Sequence, residues 1–83
     1  MEITVWGTAL CAECQRVYDL IVAANFGHAV EKKEASGLAA ESPEIRSEVM
    51  SAVAMEYMRY PVVQIGSVAY GPREALNILG IEE

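Results

Sequence analysis

Two hydrophobic periods alternate along the chain, and each stretch of constant period predicts one element. Ile3 and Val5 alternate with Glu2 and Thr4 over residues 1–6, Met1 included. Period two with β-branched residues predicts a first strand, ended by Gly7 and Thr8. From Cys14 the apolar positions Val17, Tyr18, Ile21 and Ala24 recur every three or four residues, which predicts a helix with one buried stripe, stopped at Asn25 to Gly27. Residues 28–34 are more polar around Ala29 and Val30. They predict a second strand at a sheet edge, where charged side chains discourage stray pairing.

Residues 35–41 are small and carry no period, so they read as a connection. Ser42-Pro43-Glu44 then has the grammar of a helix start: a capping hydroxyl, a proline where no N–H is needed, and an acid facing the positive end of the dipole. Ile45, Val49, Ala52, Val53 and Tyr57 continue that stripe. Met50, Met55 and Met58 read as flexible gap-fillers of the core rather than as a binding groove. Arg59-Tyr60-Pro61 breaks the helix, and Val62 to Ile65 predicts a third strand that turns tightly at Gly66-Ser67 into Val68-Ala69-Tyr70. Gly71-Pro72 opens a last helix through Leu79, which Gly80 ends. The predicted order is βαβαββα, with no internal repeat and no linker long enough to separate domains.

With 83 residues, the chain has room for one domain spanning 1–83 and one modest core. Its 53% apolar content is enough to offset the entropy lost on folding. The formal net charge of -6 repels polyanions, which excludes nucleic acid as a partner. The start of the chain lacks a basic stretch and a continuous apolar run, so it does not read as a signal peptide, and no apolar run reaches membrane-spanning length. A monomer in the cytoplasm is the expectation.

In a reducing compartment, two cysteines closing so short a loop make a poor structural staple. The pair needs a chemical reason. Cys11-Ala12-Glu13-Cys14 lies between the end of a strand and the start of a helix. Sulfurs three residues apart in a first helical turn share a face and lie within bridging reach. The free N–H groups and positive partial charge of a helix start favour a thiolate at the first of them. Cys11 is therefore expected to attack a substrate disulfide, and Cys14, more shielded on the helix, to resolve the mixed disulfide. Glu13 opposes ionisation of Cys11, and Arg16 one turn on offsets it. A closed zinc site wants four ligands, and two cysteines with His28 would need a second chain to complete it; His28, beside Gly27, reads as a surface residue. A binding module that merely carries a cysteine pair is the remaining alternative.

The arrangement resembles glutaredoxins and the related redoxins that serve ribonucleotide reductase, all of the thioredoxin fold. The likeness covers nearly the whole chain. Its specific parts are Cys11-Ala12-Glu13-Cys14 after a first strand, Tyr60-Pro61 before a hydrophobic strand, and Gly71-Pro72-Arg73-Glu74 at the opening of the last helix. It implies a thioredoxin-like α/β fold, a four-stranded mixed sheet flanked by three helices, with the first strand central and parallel to the second. It also implies a cis bond at Tyr60-Pro61, and a surface of Arg59, Tyr60, Pro61, Gly71, Pro72 and Arg73 that receives an extended substrate or glutathione. The backbone of Tyr60 would pair with that substrate, and the segment from Gly71 would receive a carboxylate. The implied activity is reduction of protein or glutathione mixed disulfides. Glutathione or a thioredoxin-reductase system would supply the electrons, and no bound metal or prosthetic group is required; the third alternative, a dimer holding an iron-sulfur cluster on Cys11 and glutathione, is one that some members of that family show.

Overall fold

The computed structural model describes residues 2–82; Met1, expected at the head of the first strand, lies outside them. Strand β1 is Ile3–Gly7, and all five of its residues are buried. Its alternation divides the interior in two. Ile3 and Val5 join Val17, Ile21, Val30, Val63, Ala75 and Leu76 on one face of the sheet. Trp6 joins Leu38, Val49, Ala52, Val53 and Val62 on the other. A period of two predicts this separation, because successive strand side chains point to opposite faces. Each fully buried Val, Leu or Ile contributes roughly 1.5–3 kcal/mol.

The sheet has four strands in the order β2-β1-β3-β4. Strand β1 is central, parallel to β2 (Val30–Glu34) with Ile3 opposite Val30, and antiparallel to β3 (Val62–Ile65) with Val5 opposite Val63. Strand β2 lies at the edge and carries Glu31, Lys32, Lys33 and Glu34, as its polar composition implies. At the other edge, β4 (Val68–Tyr70) follows β3 through a two-residue turn at Gly66 and Ser67, with φ of +62° at Gly66. A glycine there takes the left-handed conformation that such tight hairpins need. The Glu48 carboxylate accepts a hydrogen bond from the Ala69 N–H at 3.0 Å.

Helix α1 spans Ala12–Ile21, two residues earlier than the apolar stripe suggests, and continues through a wider π-type segment, Val22–Phe26. The early start has a local cause: Cys11 caps the helix, its Sγ accepting the Cys14 N–H at 3.1 Å. Val17 and Ile21 are buried as the stripe requires. The small residues after β2 form a 3-10 helix, Ala35–Ala40, in place of the expected connection, and Leu38 anchors it in the core around Trp6. One apolar residue without a period gave no sign of it. These two irregular segments are where the observed element order departs from the predicted one.

Helix α2 runs Pro43–Met55, with the Ser42 hydroxyl accepting the Ile45 N–H at 3.4 Å. Two expectations fail at its far end. Tyr57 does not continue the stripe but leaves the helix, 89% exposed, and the methionines do not fill the core: Met55 is 79% exposed, Met58 67%, and Met50 lies on the solvent flank. Met50 and Met55 lie within the helix but off its buried stripe of Val49, Ala52 and Val53, and for Tyr57 and Met58 the cause is a backbone closure. The Met58 N–H bonds Val53 O at 2.9 Å and the Tyr57 N–H bonds Ala54 O at 3.2 Å, with Tyr57 and Met58 both left-handed at φ of +56° and +63°. This paired closure ends the helix before Tyr57 can reach the buried face. Helix α3, Pro72–Ile78, closes the same way at Gly80 and packs Ala75 and Leu76 beneath the sheet.

Candidate active site

Cys11 and Cys14 are joined as a disulfide with their Cα atoms 5.3 Å apart. Three local features place them. Leu10, left-handed at φ of +60° and fully exposed, turns the chain out of β1 toward the helix. Cys11 sits half-buried in extended backbone at the helix cap. Cys14 lies one turn in and is only 5% exposed. The sulfurs are therefore unequal: one meets solvent at the helix start, and the other is held in the protein.

Behind Cys14 stands Gly7, the last residue of β1. A Cβ built there would lie 2.6 Å from Cys14 Sγ and 2.9 Å from its Cβ, closer than such atoms can stand. Gly7 reads in the sequence as a strand terminator; it is also the one residue type that lets Cys14 pack against the central strand. A glycine a few positions ahead of a cysteine pair was the only available signal of that contact.

Between the cysteines, Glu13 is clamped by Arg16, whose Nε and Nη2 donate to the two carboxylate oxygens at 2.6 and 2.8 Å. That hydrogen bonding, helped by the guanidinium charge, lowers the Glu13 pKa below its ordinary value. Glu13 is thus a neutralised neighbour of Cys11 rather than a bare opposing charge, as its spacing from Arg16 suggests.

The residues expected to receive substrate fall on the α2–α3 side. The Tyr60–Pro61 peptide is cis, as the resemblance implies, and Pro61 is fully buried. Tyr60 and Pro61 line a shallow groove of about 270 Å³ with Glu13, Glu56, Tyr57, Arg59 and Pro72. Arg59, Pro72 and Arg73 line a neighbouring one of about 490 Å³ with Glu13, Arg16 and Glu56. Gly71 belongs to a third, of about 670 Å³, along α3. The cysteines themselves open onto a separate cleft of about 640 Å³ lined by Gly7 to Leu10 and, from the β2 edge, Lys32, Lys33 and Glu34. Glu13 links the cysteine turn to the grooves beside Pro61 and Pro72.

Gly71 does not stand open. A Cβ there would lie 2.6 Å from Glu56 Cδ and Oε2, so a carboxylate of the chain itself rests on the backbone where the resemblance places one from the substrate. Glu56 went unmarked in the sequence because nothing but its place at a helix end distinguishes it. His28 is exposed at the turn before β2. Among the described residues no group of three or more His, Cys, Asp or Glu side chains is placed to hold a metal ion, and no helix is long and apolar enough to cross a membrane. Comparison with known proteins supplies no family: no family model matches the chain, and neither a curated protein nor a solved structure does.

Proposed function

We propose that this chain is a thioredoxin-fold dithiol protein that reduces disulfides through Cys11 and Cys14. One observation carries the reading: a cysteine at a helix cap, its sulfur accepting the N–H of Cys14, bridged to a second cysteine that is almost fully buried. The same N–H and the positive end of α1 stabilise a thiolate when the bridge is open. The strand order around a central β1 and the cis bond before β3 agree with that fold.

The exchange proceeds in two displacements. The Cys11 thiolate attacks one sulfur of a substrate disulfide, forming a mixed disulfide and expelling the other sulfur as a thiolate. Cys14, losing its proton to solvent, attacks Cys11 Sγ; the internal disulfide closes and the second substrate thiolate leaves. Two electrons pass from the dithiol to the substrate. An external thiol or dithiol, glutathione or a thioredoxin-reductase system, returns them. Order follows from exposure: Cys11 is reachable and Cys14 is not, so the reverse sequence is blocked sterically.

Steady-state reduction of a mixed-disulfide substrate by wild type, Cys11→Ser and Cys14→Ser tests the reading. Cys11→Ser is expected to be inactive. Cys14→Ser is expected to stall as a mixed disulfide on Cys11, turning over only glutathionylated substrates. If both variants match wild type, the fold serves as an interaction module and the exchange reading fails.

A further inference from the structure

Glu56 is the one residue that lines all three grooves on the α2–α3 side of the disulfide. It caps α2, and the left-handed Tyr57 and Met58 that follow turn their own side chains outward. Glu56 stays half-buried, its carboxylate laid against Gly71. It shares the groove of about 490 Å³ with Arg59 and Arg73. Among the described residues neither makes a salt bridge, whereas Arg16 in the same groove is already engaged by Glu13. Beside the Glu13–Arg16 pair, the groove by the cysteine turn thus holds two uncommitted guanidinium groups and one carboxylate, that of Glu56.

We propose that Glu56 is a specificity-determining residue of the exchange site, disfavouring disulfides that carry a carboxylate near the sulfur relative to neutral ones. The proposal rests on the exchange reading above and adds a substrate preference to it. A substrate anion entering these grooves meets the like charge of Glu56, whose carboxylate already occupies the space over Gly71 and shares a groove with Arg59 and Arg73. A neutral substrate meets no such repulsion. The grooves are open to solvent, so the discrimination is that of an exposed charge pair, about fivefold, and it weakens as salt screens it.

The test compares second-order rates at which the pre-reduced protein is oxidised by two disulfides, oxidised glutathione as the acidic probe and bis(2-hydroxyethyl) disulfide as the neutral one. This needs no added reductant, since each event converts one protein dithiol to a disulfide and one probe disulfide to two thiols. Glu56→Gln is expected to raise the rate with oxidised glutathione about fivefold while leaving the neutral probe unchanged. Added salt should narrow the wild-type difference between the probes. Equal changes for both probes, or no change for either, overturns the role of Glu56 while leaving the exchange reading intact. Failure of wild type to react with the neutral probe faster than a simple dithiol overturns the exchange reading, and this inference with it.

Discussion

Helices α2 and α3 end with the same pair of backbone hydrogen bonds, built on different residues. In α3 the Ile81 N–H reaches Leu76 O at 2.8 Å and the Gly80 N–H reaches Asn77 O at 3.1 Å, with glycine at the left-handed position, φ +73°. In α2 the equivalent position is Tyr57, followed by a second left-handed residue, Met58. A side chain in that conformation costs on the order of 1 kcal/mol, a cost that glycine avoids. The α3 end lines neither the cysteine cleft nor the grooves that Glu13 borders, and it uses the inexpensive residue. The α2 end carries Glu56, Tyr57 and Arg59 into the groove beside Pro61 and retains the costly ones. Strain in a segment that lines this groove is what the proposed recognition of substrate there would use.

Breaking the inexpensive end should have the largest effect. Gly80→Val places a β-branched side chain at φ +73° and is expected to lower stability by about 2 kcal/mol, read as a shift of the denaturation midpoint. Tyr57→Gly sharpens the comparison from the other side. Because Tyr57 is so exposed, little packing is lost, and stability should rise by about 1 kcal/mol. The same variant should raise KM for a peptide disulfide, since the groove loses a wall. A rise in stability with unchanged KM would mean that the α2 corner is strained for no purpose connected with substrate.

The smallest effect belongs to a helix beginning. Glu13 and Arg16 join across the first turn of α1 in an exposed ion pair, held by side chains rather than by backbone closure. The Glu13 pKa is lowered in the folded chain, so its contribution is present above the unfolded value of 4.5 and disappears as pH falls through the lowered folded value. Solvent screens it, and the contribution is small. Stability curves of wild type and Glu13→Gln should therefore run slightly apart above that range and converge below it. A gap that widens in acid would reverse the sign.

The same two helix ends show how much of the molecule was legible in the sequence. Gly80 announced its closure, because glycine after an apolar stripe is the common signal. Tyr57 concealed its own, because tyrosine at that spacing reads as one more buried position. The strands and the capping grammar at Ser42 followed from period and residue type, and the pairing around β1 from the resemblance. The cysteine pair and its helix-start setting were also readable, and the resemblance implied the grouping of Arg59, Tyr60, Pro61, Pro72 and Arg73 on one side. The exposed methionines, the Leu38 anchor, and the contacts of Gly7 with Cys14 and Glu56 with Gly71 were not. Each depends on where the backbone passes in three dimensions, and no local pattern encodes it.

The proposed exchange depends on the two sulfurs being unequal, with the outer one ionised at the head of α1. Alkylation of the reduced protein by iodoacetamide across a pH series, with the modified cysteine located by mass spectrometry, measures this directly. Reaction should occur at Cys11 before Cys14, with a midpoint below the ordinary thiol value of about 8.5. A midpoint at or above that value, or first modification at Cys14, would contradict the account.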